Sequence, residues 1–153
     1  MHNKMVVIAL GLSTSTLIGC AIPQGEQPLL DCTNLHQVAS AASEDFVSIS
    51  GQQEVTRYGK VARAKLHPFG SCSVLVLAAE PPVYMCSSKS SSQQSDSALL
   101  VAEVEQCLGE DWERTELAGG GASFEKSAVQ VSVGKTDRQA SGDSSVGLTV
   151  QRR

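Results

Sequence analysis

Val129-Gln130-Val131-Ser132-Val133 and Val146-Gly147-Leu148-Thr149-Val150-Gln151 alternate apolar residues with polar or small ones. Successive side chains of a strand point to opposite faces. A period of two therefore sends the valines and Leu148 to one side, and Gln130, Ser132 and Thr149 to the other. One face packed and one face wet is the habit of an antiparallel sheet. The polar stretch 135–145 joins the two runs as a long hairpin loop. Upstream, residues 73–79 and 83–86 flank Glu80-Pro81-Pro82 and read as a second hairpin. Ser73-Val74-Leu75-Val76-Leu77 is almost continuously apolar, as expected of a central strand covered on both faces. Residues 54–66 predict another strand, ended by a turn at His67-Pro68-Phe69-Gly70. Residues 112–117 predict one more, followed by a turn at Ala118-Gly119-Gly120-Gly121-Ala122.

Two segments change period. In residues 31–48, Leu35, Val38, Ala42 and Phe46 recur at three and four, giving one apolar helical stripe with Asp31 or Thr33 as its cap. Residues 98–109 repeat the pattern through Leu99-Leu100, Val104 and Cys107-Leu108. Ser95, Asp96 and Ser97 are cap candidates there, and Gly109 fits the C-terminus. Between 87 and 97 the chain is polar, low-complexity and unable to bury a core face, so it reads as a loop. The expected class is α+β: a single domain over 31–153, an antiparallel sheet with two helices on one face, in the order α-β-β-β-α-β-β-β. A helix followed by three strands occurs twice, without repetition at the level of residues.

The first twenty residues have a different character. Lys4 gives a short positive region, and residues 5–18 are apolar or small. That run is too short for a membrane span, which needs roughly 20 apolar residues, and it has the length of a signal-peptide core. It ends in Leu17-Ile18-Gly19-Cys20, which resembles the lipobox of bacterial lipoproteins. The resemblance implies that residues 1–19 are removed as a signal peptide and that Cys20 carries diacylglycerol through a thioether, with a further acyl chain such as palmitate on its freed amine. Several acyl chains give a stable anchor where one is marginal, since each buried methylene contributes about 0.8 kcal/mol. Ala21 in place of Asp implies the outer membrane over the inner, with the domain facing the periplasm. Residues 20–30 then form the lipidated cysteine and a flexible tether containing Pro23, Gly25 and Pro28.

Assigning Cys20 to lipid leaves Cys32, Cys72, Cys86 and Cys107. An even number in an exported chain predicts disulfides, with three pairings open. Cys72 and Cys86 lie symmetrically about residue 79 in the second hairpin, which favours Cys72–Cys86. Cys32–Cys107 is then left to join the two helices. The competing metal reading has only Cys32 and His36 at i, i+4 on a helix face. Two ligands make no zinc site and no CxxC is present, so no metal and no cofactor are expected. The series Phe46-x-x-Ile49-x-Gly51, Cys72, Tyr84-x-Cys86 and Cys107-Leu108-Gly109-x-x-Trp112 resembles small uncharacterised exported proteins of Gram-negative bacteria. That resemblance supports the fold and the paired cysteines and implies no activity.

Charge narrows the function. Loss of residues 1–19 leaves 11 basic and 16 acidic side chains, a net charge of −5, so nucleic acid is not an expected partner. The basic residues are concentrated in Arg57, Lys60, Arg63 and Lys65. These read either as protection of an edge strand or as a docking strip for an acidic partner protein or for anionic envelope polymers. No GxSxG elbow is present, and the glycine run 119–121 lacks the Lys-Ser/Thr of a phosphate loop. Glu103, Glu105, Glu110, Asp111 and Glu113 have the composition of a carboxylate pair but read as a solvated helix end. Trp112 reads as a core plug or, alternatively, as a ligand contact. No enzyme is expected. The expectation is a protein-binding module in the periplasm, an inhibitor or an immunity protein against a toxin acting there. The alternative is a structural accessory of an outer-membrane or secretion assembly.

Overall fold

The computed structural model describes residues 28–57, 59–88, 97–137 and 144–153. Its first helix, α1 (Cys32–Ala41), begins as the sequence suggests, with the Asp31 carboxylate accepting from the Asn34 amide at 2.9 Å. It stops earlier than the stripe predicts. A 3₁₀ turn (Ala42–Glu44) follows, and Asp45 and Phe46 take left-handed backbone at φ 53° and 60°. Left-handed backbone costs about 1–2 kcal/mol per residue. The turn is tolerated because it delivers Phe46 fully into the core, against the Tyr84 ring at 5.6 Å, and burying a Phe contributes up to about 3 kcal/mol. The contact between Asp45 and Arg152 at 3.3 Å adds to this.

Four strands follow: β1 (Ser50–Thr56), β2 (Gly59–Ala64), β3 (Ser71–Val76) and β4 (Val83–Ser87). Helix α2 (Ser97–Leu108) and four more strands complete the chain: β5 (Glu113–Leu117), β6 (Gly121–Lys126), β7 (Val129–Asp137) and β8 (Ser144–Arg152). All eight form one antiparallel sheet in the order β1-β2-β3-β4-β8-β7-β6-β5. Each helix is thus followed by a four-stranded meander, and the two meanders meet at β4 and β8. About that junction Ala62, Val74 and Tyr84 hold positions equivalent to Ala122, Val133 and Leu148, and all six are buried.

The predicted count of three strands per helix is therefore corrected to four, for two local reasons. The stretch read as one strand over 54–66 is a hairpin. Gly59, at φ +138°, sits where a Cβ would come within 2.7 Å of the Val76 carbonyl oxygen. The second omission is β6, whose start was hidden in the glycine run. Gly121 belongs to the strand because a Cβ there would lie 2.3 Å from the Val133 carbonyl oxygen. The hairpin loop expected over 135–145 is also shorter, since β7 reaches Asp137 and β8 begins at Ser144. The polar loop read between 87 and 97 falls largely on residues 89–96, outside the described residues, as do the cap candidates Ser95 and Asp96.

Both helices lie on one face of the sheet. Leu35, Val38, Leu100, Val101 and Val104 descend onto Val74, Phe124, Val131, Val133, Leu148 and Val150 in one core. Among the described residues no helix lies over the other face, so helices cover β3 on one side only. Val74 is buried beneath the helices, and Leu75 is half-buried on the open face beside Val61 and Val83. The continuous apolar run in β3 thus marks an apolar patch and not a second layer. The Tyr84 hydroxyl donates to the Leu66 carbonyl, and burial pushes its phenol well above the ordinary value, holding it neutral.

Two disulfides clamp this arrangement. Cys72 and Cys86 face each other directly across β3 and β4, with Cα atoms 4.1 Å apart. Cys32 and Cys107 join the start of α1 to the end of α2 at 5.3 Å.

Candidate protein-docking site

The sheet has two outer strands, and their edges differ. β1 pairs with β2 through a register shift between Ser50 and Gln53. β5 pairs with β6 through five consecutive positions, Glu113↔Glu125 to Leu117↔Gly121, without interruption. All five residues of β5 are exposed. Among the described residues no strand lies against its outer side, which therefore presents a row of backbone donors and acceptors.

A cavity of about 380 Å³ opens beside that edge, lined by Glu105, Gln106, Gly109, Glu110, Trp112, Arg114 and Phe124. Chain geometry places these residues together. Gly109 ends α2 at φ +79°, its amide donating to the Glu105 carbonyl at 3.0 Å. The turn that follows brings the Trp112 amide to the Gly109 carbonyl at 3.4 Å and places Trp112, partly buried against the core, in the cavity wall. Phe124, on the helix side of β6, is a buried lining residue. Arg114 bridges two carboxylates, donating to Glu105 at 2.5 Å and also to Glu116. The hydrogen bond to Glu105 holds the guanidinium above its ordinary pKa. Lys126 contacts Asp111 at 3.2 Å. Among the described residues Glu110 and Glu113 form no ion pair. The cavity thus joins an aromatic wall to surplus negative charge, a combination suited to a cationic side chain.

The chain matches no protein-family model, no curated protein and no solved structure.

The sequence-derived candidates fall elsewhere. Arg57, Lys60, Arg63 and Lys65 are exposed but do not share a face. Lys60 and Arg63 lie on β2, which runs between β1 and β3 and is not an edge. Arg57 sits in the β1–β2 turn. Lys60 has the helix-side parity of Ala62, Arg63 points to the open face, and the Lys65 ammonium folds back to the Ser48 carbonyl at 3.2 Å. His36 lines a shallow depression on α1, while its supposed co-ligand Cys32 is in a disulfide. Among the described residues no group of three His, Cys, Asp or Glu is placed to hold a metal ion, and no helix is long and apolar enough to cross a membrane. Cys20 and the signal segment 1–19 lie outside the described residues.

One structural contact has no counterpart in the sequence pattern. Glu103, half-buried on α2, accepts from the amides of Leu29 at 3.3 Å and Leu30 at 2.9 Å. Leu30 is buried, and the Asp31 amide donates to the Pro68 carbonyl at 2.8 Å. Leu29 and Leu30, expected in the tether, belong to the domain. The only signal for this clamp was a carboxylate set among apolar residues in Ala102-Glu103-Val104.

Proposed function

We propose that the chain is a bacterial envelope lipoprotein, held in the outer membrane through acylated Cys20. Its folded part acts as a non-enzymatic protein-binding module in the periplasm, as an inhibitor or as an immunity protein against a toxin acting there. The observation that supports this most is the uninterrupted, exposed β5 edge beside an aromatic and acidic cavity. Two disulfides and the Glu103 clamp keep that edge on a rigid body, so docking loses little entropy to ordering the surface. A scaffold role in an outer-membrane or secretion assembly is favoured by a different feature, the apolar patch of Val61, Leu75, Val83 and Met85 on the open sheet face.

Affinity capture from envelope extract, with the soluble mature chain carrying Cys20→Ser, separates these roles. A single partner at one-to-one stoichiometry whose activity the chain suppresses is the expected result. Recovery of assembly components instead selects the scaffold role. Hydrolysis of envelope polymers by the pure chain overturns both.

A further inference from the structure

We propose that the partner docks on β5 as an added strand and that the docking segment is extended and basic, with one cationic side chain entering the Trp112 cavity. This rests on the protein-binding reading above and names its surface and its chemistry.

Strand addition needs a free backbone edge for affinity and side pockets at alternate positions for selectivity. β5 supplies the first along all five residues, whereas the register shift in β1 interrupts the opposite edge. Alternation supplies the second. Arg114 and Glu116 lie on the helix side, where the cavity opens, and Glu113, Thr115 and Leu117 lie on the open side. An added strand therefore sends every other side chain toward Glu105, Glu110 and Trp112.

Charge identifies the occupant. Glu105, Glu110, Asp111, Glu113 and Glu116 lie on β5 or on the helix end and turn that lead into it, against Arg114 and Lys126, while Glu125 opposite Glu113 is paired with Arg153. Both cations are already engaged, Arg114 by Glu105 and Glu116, and Lys126 by Asp111. The surplus is negative and meets a Lys or Arg side chain favourably. The indole of Trp112 adds a face on which such a cation rests. A second copy of this chain is the obvious competitor, since a two-fold β5–β5 pairing centred on Thr115 would set Arg114 opposite Glu116. It would also bring two negative surpluses together, and each Arg114 is already neutralised within its own chain. A basic segment of another protein satisfies the edge without that repulsion.

The test titrates the mature Cys20→Ser chain with the synthetic peptide Thr-Lys-Val-Arg-Thr-Lys-Val-Arg-Thr, following Trp112 fluorescence and amide exchange. Saturable binding is expected, with a changed Trp112 emission and new protection over Glu113–Leu117. Glu110→Lys together with Glu116→Lys is expected to weaken it about tenfold or more. The same peptide with Glu in place of Lys and Arg is expected not to bind. Equal binding of the acidic peptide, protection at β1 in place of β5, or concentration-dependent dimerisation through β5 would each overturn the proposal. Two outcomes separate this inference from the broader reading. If the envelope partner is captured equally by the doubly reversed variant, docking at β5 falls and protein binding stands. If the unaltered chain captures no partner, the broader reading falls.

Discussion

Replacing Cys32 and Cys107 together with alanine is expected to lower the unfolding free energy of the oxidised domain by about 4.5 kcal/mol in the chain-entropy limit. The bridge closes the longer of two loops, with a sequence separation of 75 against 14 for Cys72–Cys86. The shorter loop is expected to contribute about 3 kcal/mol, so the order of the two losses is itself part of the result. Domains of this size are stable by roughly 5–15 kcal/mol, and the larger loss is a substantial fraction of that. Structure adds a reason for the same order. Cys32 begins α1 and Cys107 closes α2, so this bond ties the helical layers of the two halves covalently, beside the shared core and the β4–β8 strand pair. Urea unfolding of the unaltered chain and of the two double variants reads the difference. A smaller loss for Cys32/Cys107 than for Cys72/Cys86 would contradict the account.

Phe124→Ala is expected to cost about 3–5 kcal/mol, the range for emptying a buried aromatic site. Phe124 is 1% exposed on the central helix-facing row of β6, opposite Val131 and adjoining α2. Neither neighbour can close the gap, because Val131 is fixed in β7 and α2 is held by the Cys107 bond. Phe124→Leu retains most of the volume and is expected to cost less. The chain has one tryptophan, and Trp112 lines the cavity next to Phe124, so its fluorescence reports the same event. A red shift with Phe124→Ala and little change with Phe124→Leu is expected. A loss below about 1 kcal/mol would mean that α2 does not pack on β6 as described.

Alternation made the sheet legible in the sequence, although Gln130, expected on a wet face, is 9% exposed and its side chain is hydrogen-bonded to Glu125 and Gln151. Val131 and Val133, then Leu148 and Val150, are buried at the predicted positions, and the hairpin that opposes Cys72 to Cys86 followed from the same rule. The pattern failed where backbone proximity, not side-chain polarity, selects the residue. Gly59 and Gly121 are glycines because a neighbouring carbonyl leaves no space, and in a sequence such residues read as turn or strand alike. Phe46 kept the helical spacing but reaches the core through a left-handed turn, which periodicity does not encode. The candidate site was harder still. Its carboxylates were visible as a group, yet they gain meaning only once β5 is known to be an outer strand and Trp112 to turn back beside it. Conversely, the basic residues are close in sequence, but the β1–β2 turn and strand alternation keep them from sharing a face.

Everything said of partner and compartment depends on Cys20. On the proposed reading, acylation there would leave an even set of cysteines to pair, set the domain in an oxidising compartment and make the stretch before Leu29 a tether. Metabolic labelling with an alkyne fatty-acid analogue, followed by membrane fractionation, tests this directly. The expected result is label on the mature chain in the outer-membrane fraction, with both label and membrane association lost in Cys20→Ala. Label that persists in that variant, or an unaltered chain that carries none, would contradict the account.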